Sequence, residues 1–176
     1  DKFIESFDKL SKEHDLIIVS DYGHGIITPR IAEHISNSEK FVSLNAQINA
    51  ANLGYHSMRK YKNVDLFINN ETEIRHELRD IKSKTELLIK KLSSQQNIKN
   101  LVVTQGSEGA IIYNKMYNRF SSCAAFAESA LDKVGAGDAM LSIISLCLKS
   151  GFTRELALLI GSLAAAQSTE AFGNKK

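Results

Sequence analysis

Cysteine is scarce in this chain. Cys123 and Cys147 are its only two, and its five histidines show no ligand spacing, which excludes a disulfide framework and a patterned zinc site. A reducing, cytoplasmic setting is the expectation. A surplus of one charge is also missing: the formal net charge is +2 and Lys and Arg are scattered, so the composition carries no nucleic-acid footprint. Lys82, Lys84, Lys90 and Lys91 read as solvated helix faces. No signal-peptide pattern opens the sequence, and no uninterrupted apolar run approaches the ~20 residues that span a bilayer, so a soluble protein without a membrane partner is expected. Internal repeats, low-complexity stretches and linkers are absent too. An initiator methionine is lacking: Asp1 leads straight into an amphipathic pattern (Phe3, Ile4, Phe7, Leu10), as expected of a piece of something longer. What remains is 176 residues at 43% hydrophobic content, enough for one folded domain, or part of one, with a sizeable core.

The apolar residues alternate between two patterns. Leu16 to Val19 is a short run suited to a strand buried on both faces, and Thr28-Pro29 starts a helix through Ile31 and Ile35, with Thr28 as N-cap. A second strand is expected at Lys40 to Leu44, a helix over 52–61, a third strand at Val64 to Ile68, helices at Glu71 to Ile81 and Lys84 to Gln95, and a fourth strand at Leu101 to Thr104. Strands alternating with helices imply a parallel sheet covered on both sides. Gly109 to Asn114 and Tyr117 to Ser122 read instead as a β-hairpin. Helices after Gly137 and from Thr153 to about Glu170 complete the chain; the last is apolar on most faces and is expected to pack inside. The fold class is therefore α/β, a three-layer α/β/α sandwich with a mostly parallel sheet and a hairpin.

Chemistry concentrates where such a sheet puts it, at the carboxyl ends of the strands. Asp21 follows the first strand, Asn45 the second, Asn70 and Glu73 the third, and Thr104, Gly106 and Ser107 the fourth. Gly135-Ala136-Gly137-Asp138 precedes the long apolar helix. Unpaired N–H groups on a first helical turn attract phosphate oxygens, glycine permits close approach, and Asp138 stands within reach of an attacking hydroxyl. The same tetrapeptide also reads as a loop ending in an N-cap aspartate. Asn70 and Glu73, likewise, fit a capping box as well as a site that orders Mg²⁺ through water.

Asp132-Lys133-Val134-Gly135-Ala136-Gly137-Asp138 resembles the D-T-x-G-A-G-D signature of the PfkB, or ribokinase-like, carbohydrate kinases, with Lys133 in place of threonine. That resemblance implies a ribokinase-like fold, ATP as phosphoryl donor, Mg²⁺, Asp138 as catalytic base and Gly135, Ala136 and Gly137 as an anion hole. Asn70-Glu71-Thr72-Glu73 resembles the family's N-x-x-E motif, which implies metal ordering by Asn70 and Glu73 through water. Val103 to Ala110 resembles its V-T-x-G-x-x-G-A segment, so Thr104, Gly106, Ser107 and Gly109, with Lys133, are expected beside the nucleotide. Gly161 to Gly173 resembles the helix bordering the adenine pocket; Ser162 stands where many relatives carry asparagine, and its small neighbours also suit close helix packing. Ser20-Asp21-Tyr22-Gly23-His24-Gly25 is similar to a segment of the heptose-phosphate kinase branch, and Leu44 to Asn49 to a subgroup linked to nucleotide-sugar synthesis, which implies substrate contacts at Asp21 and Asn45.

The matched motifs belong to the second half of a typical family member, and nothing before Asp138 supplies the family's Gly-Gly sugar-binding pair. A partial domain is therefore expected, inactive in isolation. The intact protein is expected to phosphorylate a sugar or sugar-phosphate hydroxyl. Two alternatives stay open: a nucleoside or vitamin-alcohol kinase on the same fold, and a non-catalytic nucleotide-binding or dimerisation module. The resemblance leaves room for a homodimer and for a fused nucleotidyltransferase domain.

Overall fold

A computed structural model of the chain describes residues 2–48, 52–126 and 135–169. Six strands form one sheet in sequence order: β1 (Leu16–Asp21), β2 (Phe41–Ala46), β3 (Leu66–Asn70), β4 (Asn100–Thr104), β5 (Ala110–Asn114) and β6 (Arg119–Cys123). The first four are parallel and the last two close an antiparallel hairpin, as the spacing predicts. Helices α1 (Lys2–Ser11), α2 (Pro29–Ser36), α3 (Glu71–Leu78) and α4 (Thr85–Gln96) precede the hairpin; α5 (Ala136–Lys149) and α6 (Arg154–Thr169) follow it.

Two hydrophobic clusters sandwich the sheet. On one face Val19, Val42, Leu44, Phe67, Leu101 and Val103 meet Ile31 and Ile35 of α2, Ile74 of α3 and Leu88, Ile89 and Leu92 of α4. On the other, Leu66, Ile68, Val102 and Ile112 meet Met140, Leu141 and Ile144 of α5 and Ala157 and Leu158 of α6. The expected three layers are present. Residue alternation along each strand explains the division, since i and i+2 share a face.

Three expectations require correction. The helix over 52–61 is absent: turns and a 3-10 turn at Met58–Lys60 stand there, capped by the Ser57 hydroxyl. Gly54 has φ +88°, a left-handed conformation that interrupts a helix, and Met58 and Tyr61 are buried as anchors of an irregular segment. Strand β1 is not buried on both faces. It is an edge of this sheet, and Ile18 is 41% exposed. Helix α6 is not packed on most sides either: Ala157, Leu158 and Gly161 face α5 and the sheet, while Leu156, Leu159 and Leu163 are exposed. It forms an outer layer, so only one stripe meets protein. Strand boundaries also move. Strands β2 and β3 run two residues beyond the expected ends, because Ala46 pairs with Asp21 and Asn70 with Thr104.

Candidate active site

Helix α5 starts at the carboxyl edge of the parallel strands. Gly135 is its N-cap with φ +89°, and Ala136, Gly137 and Asp138 form its first turn. The first intrahelical bond runs from the Ala139 N–H to the Gly135 carbonyl at 2.9 Å, so the three preceding N–H groups have no acceptor within the helix. A Cβ added at Gly135 or Gly137 would meet none of the described residues within 4 Å. Gly135 answers to its backbone angle, φ +89°.

Asp138 does not stand alone. The Ser20 hydroxyl donates to its Oδ1 at 2.8 Å and the Tyr22 hydroxyl to its Oδ2 at 2.9 Å. The Asp138 carboxylate pushes the Tyr22 phenol pKa up, with burial adding to the effect. Ser20 pairs with Asn45 across the β1–β2 ladder, and Asn70 with Thr104 across β3–β4. All four share the sheet face of α5: Ser43, two residues before Asn45, accepts the Ser145 hydroxyl at 2.7 Å, and Ile68 and Val102 pack on Met140, Leu141 and Ile144. Asn45 donates its amide N–H to the Ile68 carbonyl at 2.7 Å. Ser20, Asn45, Asn70, Thr104 and Asp138 therefore edge one surface.

Asp21 goes elsewhere. It points to the opposite face, where its Oδ2 accepts the Tyr61 hydroxyl at 2.7 Å and lies 2.6 Å from the Lys60 ammonium, and its Oδ1 accepts the Gly23 N–H at 3.0 Å. Burial works to raise its pKa, but Lys60, Tyr61 and Gly23 together hold it below the ordinary value. His56 Nε2 lies 3.9 Å from the same carboxylate and has no hydrogen-bond partner among the described residues.

Glu73 turns inward and is 4% exposed. Its Oε2 accepts the Asn70 N–H at 2.9 Å and the Asn69 amide at 2.8 Å, its Oε1 accepts the Ile48 N–H at 3.2 Å, and the Asn70 side chain accepts the Glu73 N–H at 2.8 Å. The capping box is complete. No group of three or more metal-ligating side chains occurs among the described residues.

After β4, Gly106 (φ +60°) opens a 3-10 turn that exposes Ser107, and the Gln105 N–H donates to the Gly109 carbonyl at 2.8 Å. Gly109 has φ +95°, and a Cβ there would come 2.0 Å from the Cys123 carbonyl oxygen. Helix α6 begins at the other edge, where Arg154 donates to Asn100 Oδ1 at 2.9 Å, and runs back toward the site. Gly161 lies against Ile144, where a Cβ would approach Cγ1 to 2.4 Å, so this stripe serves close packing. Ser162 beside it is buried, and its hydroxyl has no hydrogen-bond partner among the described residues. Lys133 and Gly173 lie outside the described residues.

Comparison with known proteins decides the family. The family model described as pfkB family carbohydrate kinase matches residues 29–175. The chain belongs to the pfkB family of carbohydrate kinases. Curated pfkB relatives include the bifunctional protein HldE of Campylobacter concisus, 31% identical over 85% of this chain and 31% of that protein. The HldE of Campylobacter fetus is 26% identical over 94% of the chain and 36% of that protein. Among solved structures, ribokinase from Thermotoga maritima superposes with a TM-score of 0.75 at 23% identity, covering 95% of this chain and 54% of that one. Phosphofructokinase-2 from Escherichia coli gives 0.78 at 14%, covering 97% and 56%. The fold is thus ribokinase-like. The chain spans about a third of the curated pfkB relatives and a little over half of the solved neighbours. Among the described residues no helix is long and apolar enough to cross a membrane.

Sequence reasoning missed Ser20 and Tyr22 as partners of Asp138, and the Lys60, Tyr61 and His56 cluster that takes Asp21. The signal available was strand alternation: with Asp21 at the end of β1, Ser20 and Tyr22 fall on the other face.

Proposed function

We propose that the protein to which this chain belongs transfers the γ-phosphoryl group of ATP to a hydroxyl of a sugar or sugar phosphate, with Asp138 as general base. The observation that carries this reading is the placement of Asp138 on the first turn of α5, behind an open glycine turn and at the carboxyl edge of four parallel strands. Asp138 takes the proton of the acceptor hydroxyl as its oxygen bonds to phosphorus and the bond to the β-phosphate oxygen breaks. The N–H groups of Ala136 and Gly137 face the charge that builds on the transferring oxygens, and the helix dipole adds to their effect. Thr104, Gly106, Ser107 and Gly109 on the β4–β5 side, with Ser162 and Lys133, are assigned to the nucleotide. Asn45 is assigned to the acceptor.

Magnesium would arrive on the nucleotide's phosphates. Glu73 is poorly placed to order its waters, because the residue is 4% exposed and its carboxylate is turned inward onto the Asn70 N–H, the Asn69 amide and the Ile48 N–H. Its contribution is to fix Asn70 at the rim. A sugar phosphate is favoured as acceptor by the likeness of Ser20 to Gly25 to the heptose-phosphate kinase branch, and the word bifunctional in the name HldE favours a second, fused activity in the intact protein.

The test uses the full-length protein, ATP with Mg²⁺, and a panel of pentoses, hexoses, heptoses and their monophosphates, with ADP release as readout. Turnover with one acceptor class is expected, and Asp138→Asn is expected to lower kcat by ~10²-fold or more while leaving the KM for ATP unchanged, since general-base catalysis contributes on that scale. Turnover that survives Asp138→Asn overturns the base; nucleotide binding without turnover on any acceptor favours the non-catalytic module.

A further inference from the structure

We propose that Ser20 and Tyr22 are positioning residues that hold the Asp138 carboxylate in its reactive orientation, a role that rests on reading Asp138 as the base. Both hydroxyls come from one strand end, at i and i+2, and each bonds a different oxygen of the same carboxylate, at 2.8 and 2.9 Å. Two bonds to two oxygens fix the plane of the group, whereas a single bond would leave it free to rotate. A carboxylate offers about four lone-pair sites, so this arrangement still leaves one on each oxygen for the acceptor hydroxyl. Holding a base to a narrow range of angles is a large part of what an active site contributes, because a proton can be taken only in line.

The protein builds this pair with care. Ser20 is fixed by the β1–β2 ladder opposite Asn45. Tyr22 lies past the end of the strand and is 44% exposed, yet the backbone on either side of it is tied down. Its carbonyl accepts the Asn52 amide at 3.1 Å, and the next N–H, that of Gly23, donates to Asp21. Gly23 has φ +72°, and a Cβ there would lie 2.5 Å from the Asn52 amide nitrogen and 2.8 Å from His56 Cγ, so the chain closes onto this segment where only glycine fits. Buried Asp21 and Tyr61, with half-buried Lys60, therefore clamp the segment from below while Ser20 and Tyr22 reach Asp138 from above. The high pKa of the Tyr22 phenol keeps it a donor across the neutral range.

The experiment compares Tyr22→Phe, Ser20→Ala and Ser20→Thr with wild type and Asp138→Asn, in the full-length protein and with whichever acceptor of the panel turns over. Tyr22→Phe and Ser20→Ala are each expected to lower kcat by about 10-fold, the scale of a hydrogen bond to a charged group, with the KM for ATP and for acceptor unchanged. Ser20→Thr keeps the hydroxyl and is expected to restore the rate. Both side chains are exposed, so the thermal midpoint should stay at the wild-type value. An unchanged kcat in both deletion variants, with Asp138→Asn inactive, overturns the proposal and leaves the base intact. A raised acceptor KM at constant kcat also overturns it, by making Tyr22 a substrate contact. Full activity in Asp138→Asn, or an inactive wild type, removes the base reading and this inference with it.

Discussion

In Glu73, burial and bonding pull against each other. Burial raises its pKa, and the Asn70 N–H, the Asn69 amide and the Ile48 N–H offset this only in part. A carboxylate whose folded pKa lies above its unfolded one adds stability as pH falls toward the ordinary carboxylate range, so its charge is a burden at neutral pH. Glu73→Gln removes that charge but presents one oxygen to three donors. Leaving a buried N–H unpaired costs about 1–3 kcal/mol, so the variant is expected to lower the thermal midpoint; an unchanged midpoint would show that the capping box is dispensable. His56 behaves in the opposite sense. Burial, aided by Lys60, depresses its pKa against the pull of Asp21 and Glu77. A base depressed on folding contributes stability above its ordinary pKa of 6.5 that is lost as pH falls below it. Asp21, also depressed, loses its contribution only further down, below the ordinary carboxylate value. Acid destabilisation is therefore expected to begin just below pH 6.5, and His56→Gln to flatten its first stage in a series of urea midpoints; the same slope in the variant would exclude His56. At this scale the sequence reveals Asp138, because a glycine turn before an apolar run is a local pattern. It conceals Ser20 and Tyr22, uncharged hydroxyls 118 and 116 residues from their partner. Asp21 is charged and ends the strand, but alternation turns it to the opposite face and puts Ser20 and Tyr22 on the face of Asp138.

Elements repeat the lesson. Strands and helices with strong period are legible: β1 to β4, the hairpin and α2 with its Thr28 cap, whose hydroxyl accepts the Ile31 N–H at 3.3 Å. The 52–61 segment is not, because its geometry is set by distant partners. Lys60 reaches Asp21 and the Ile27 carbonyl, while Ser57 and the Met58 N–H bond Glu77. Two glycines separate backbone strain from crowding. Both have positive φ, but Gly109 also touches the end of β6, whereas a Cβ at Gly135 would meet none of the described residues. Gly135→Ala is expected to cost about 1 kcal/mol of stability through backbone conformation alone. Gly109→Ala must in addition displace the Cys123 carbonyl, and is expected to exceed the Gly135 variant by about 1–3 kcal/mol, the usual range for forced overpacking. Urea unfolding of the two variants side by side checks the order; equal losses would mean that β6 yields without cost.

At the scale of the molecule, apolar surface is left open at both ends of the sheet. Ile18 on the edge strand β1 is 41% exposed, and at the far end, over β5 and β6, Leu156, Leu159 and Leu163 line the outside of α6. Exposed apolar stripes and open strand edges favour association. The 176-residue chain alone is expected to self-associate with rising concentration in sedimentation velocity, and Leu156→Lys with Leu159→Lys to shift it toward monomer; a monomer at every concentration would show that these surfaces are inert. The position of β1 has a second consequence, for the order in which function and fold are lost. An edge strand opens by local fluctuation at a lower free energy than the whole domain unfolds. Ser20 and Tyr22 stand at the end of that strand, and the Asp138 carboxylate they bond stands on α5, which packs on β2 and β3 as well as on β1. Each opening of β1 frees the carboxylate while the contacts of α5 with β2 and β3 persist. Amide exchange at the end of β1 should then run ahead of exchange in β3, and on warming, the bonds from Ser20 and Tyr22 to Asp138, and with them the activity proposed above, should be lost while the rest of the fold is still in place.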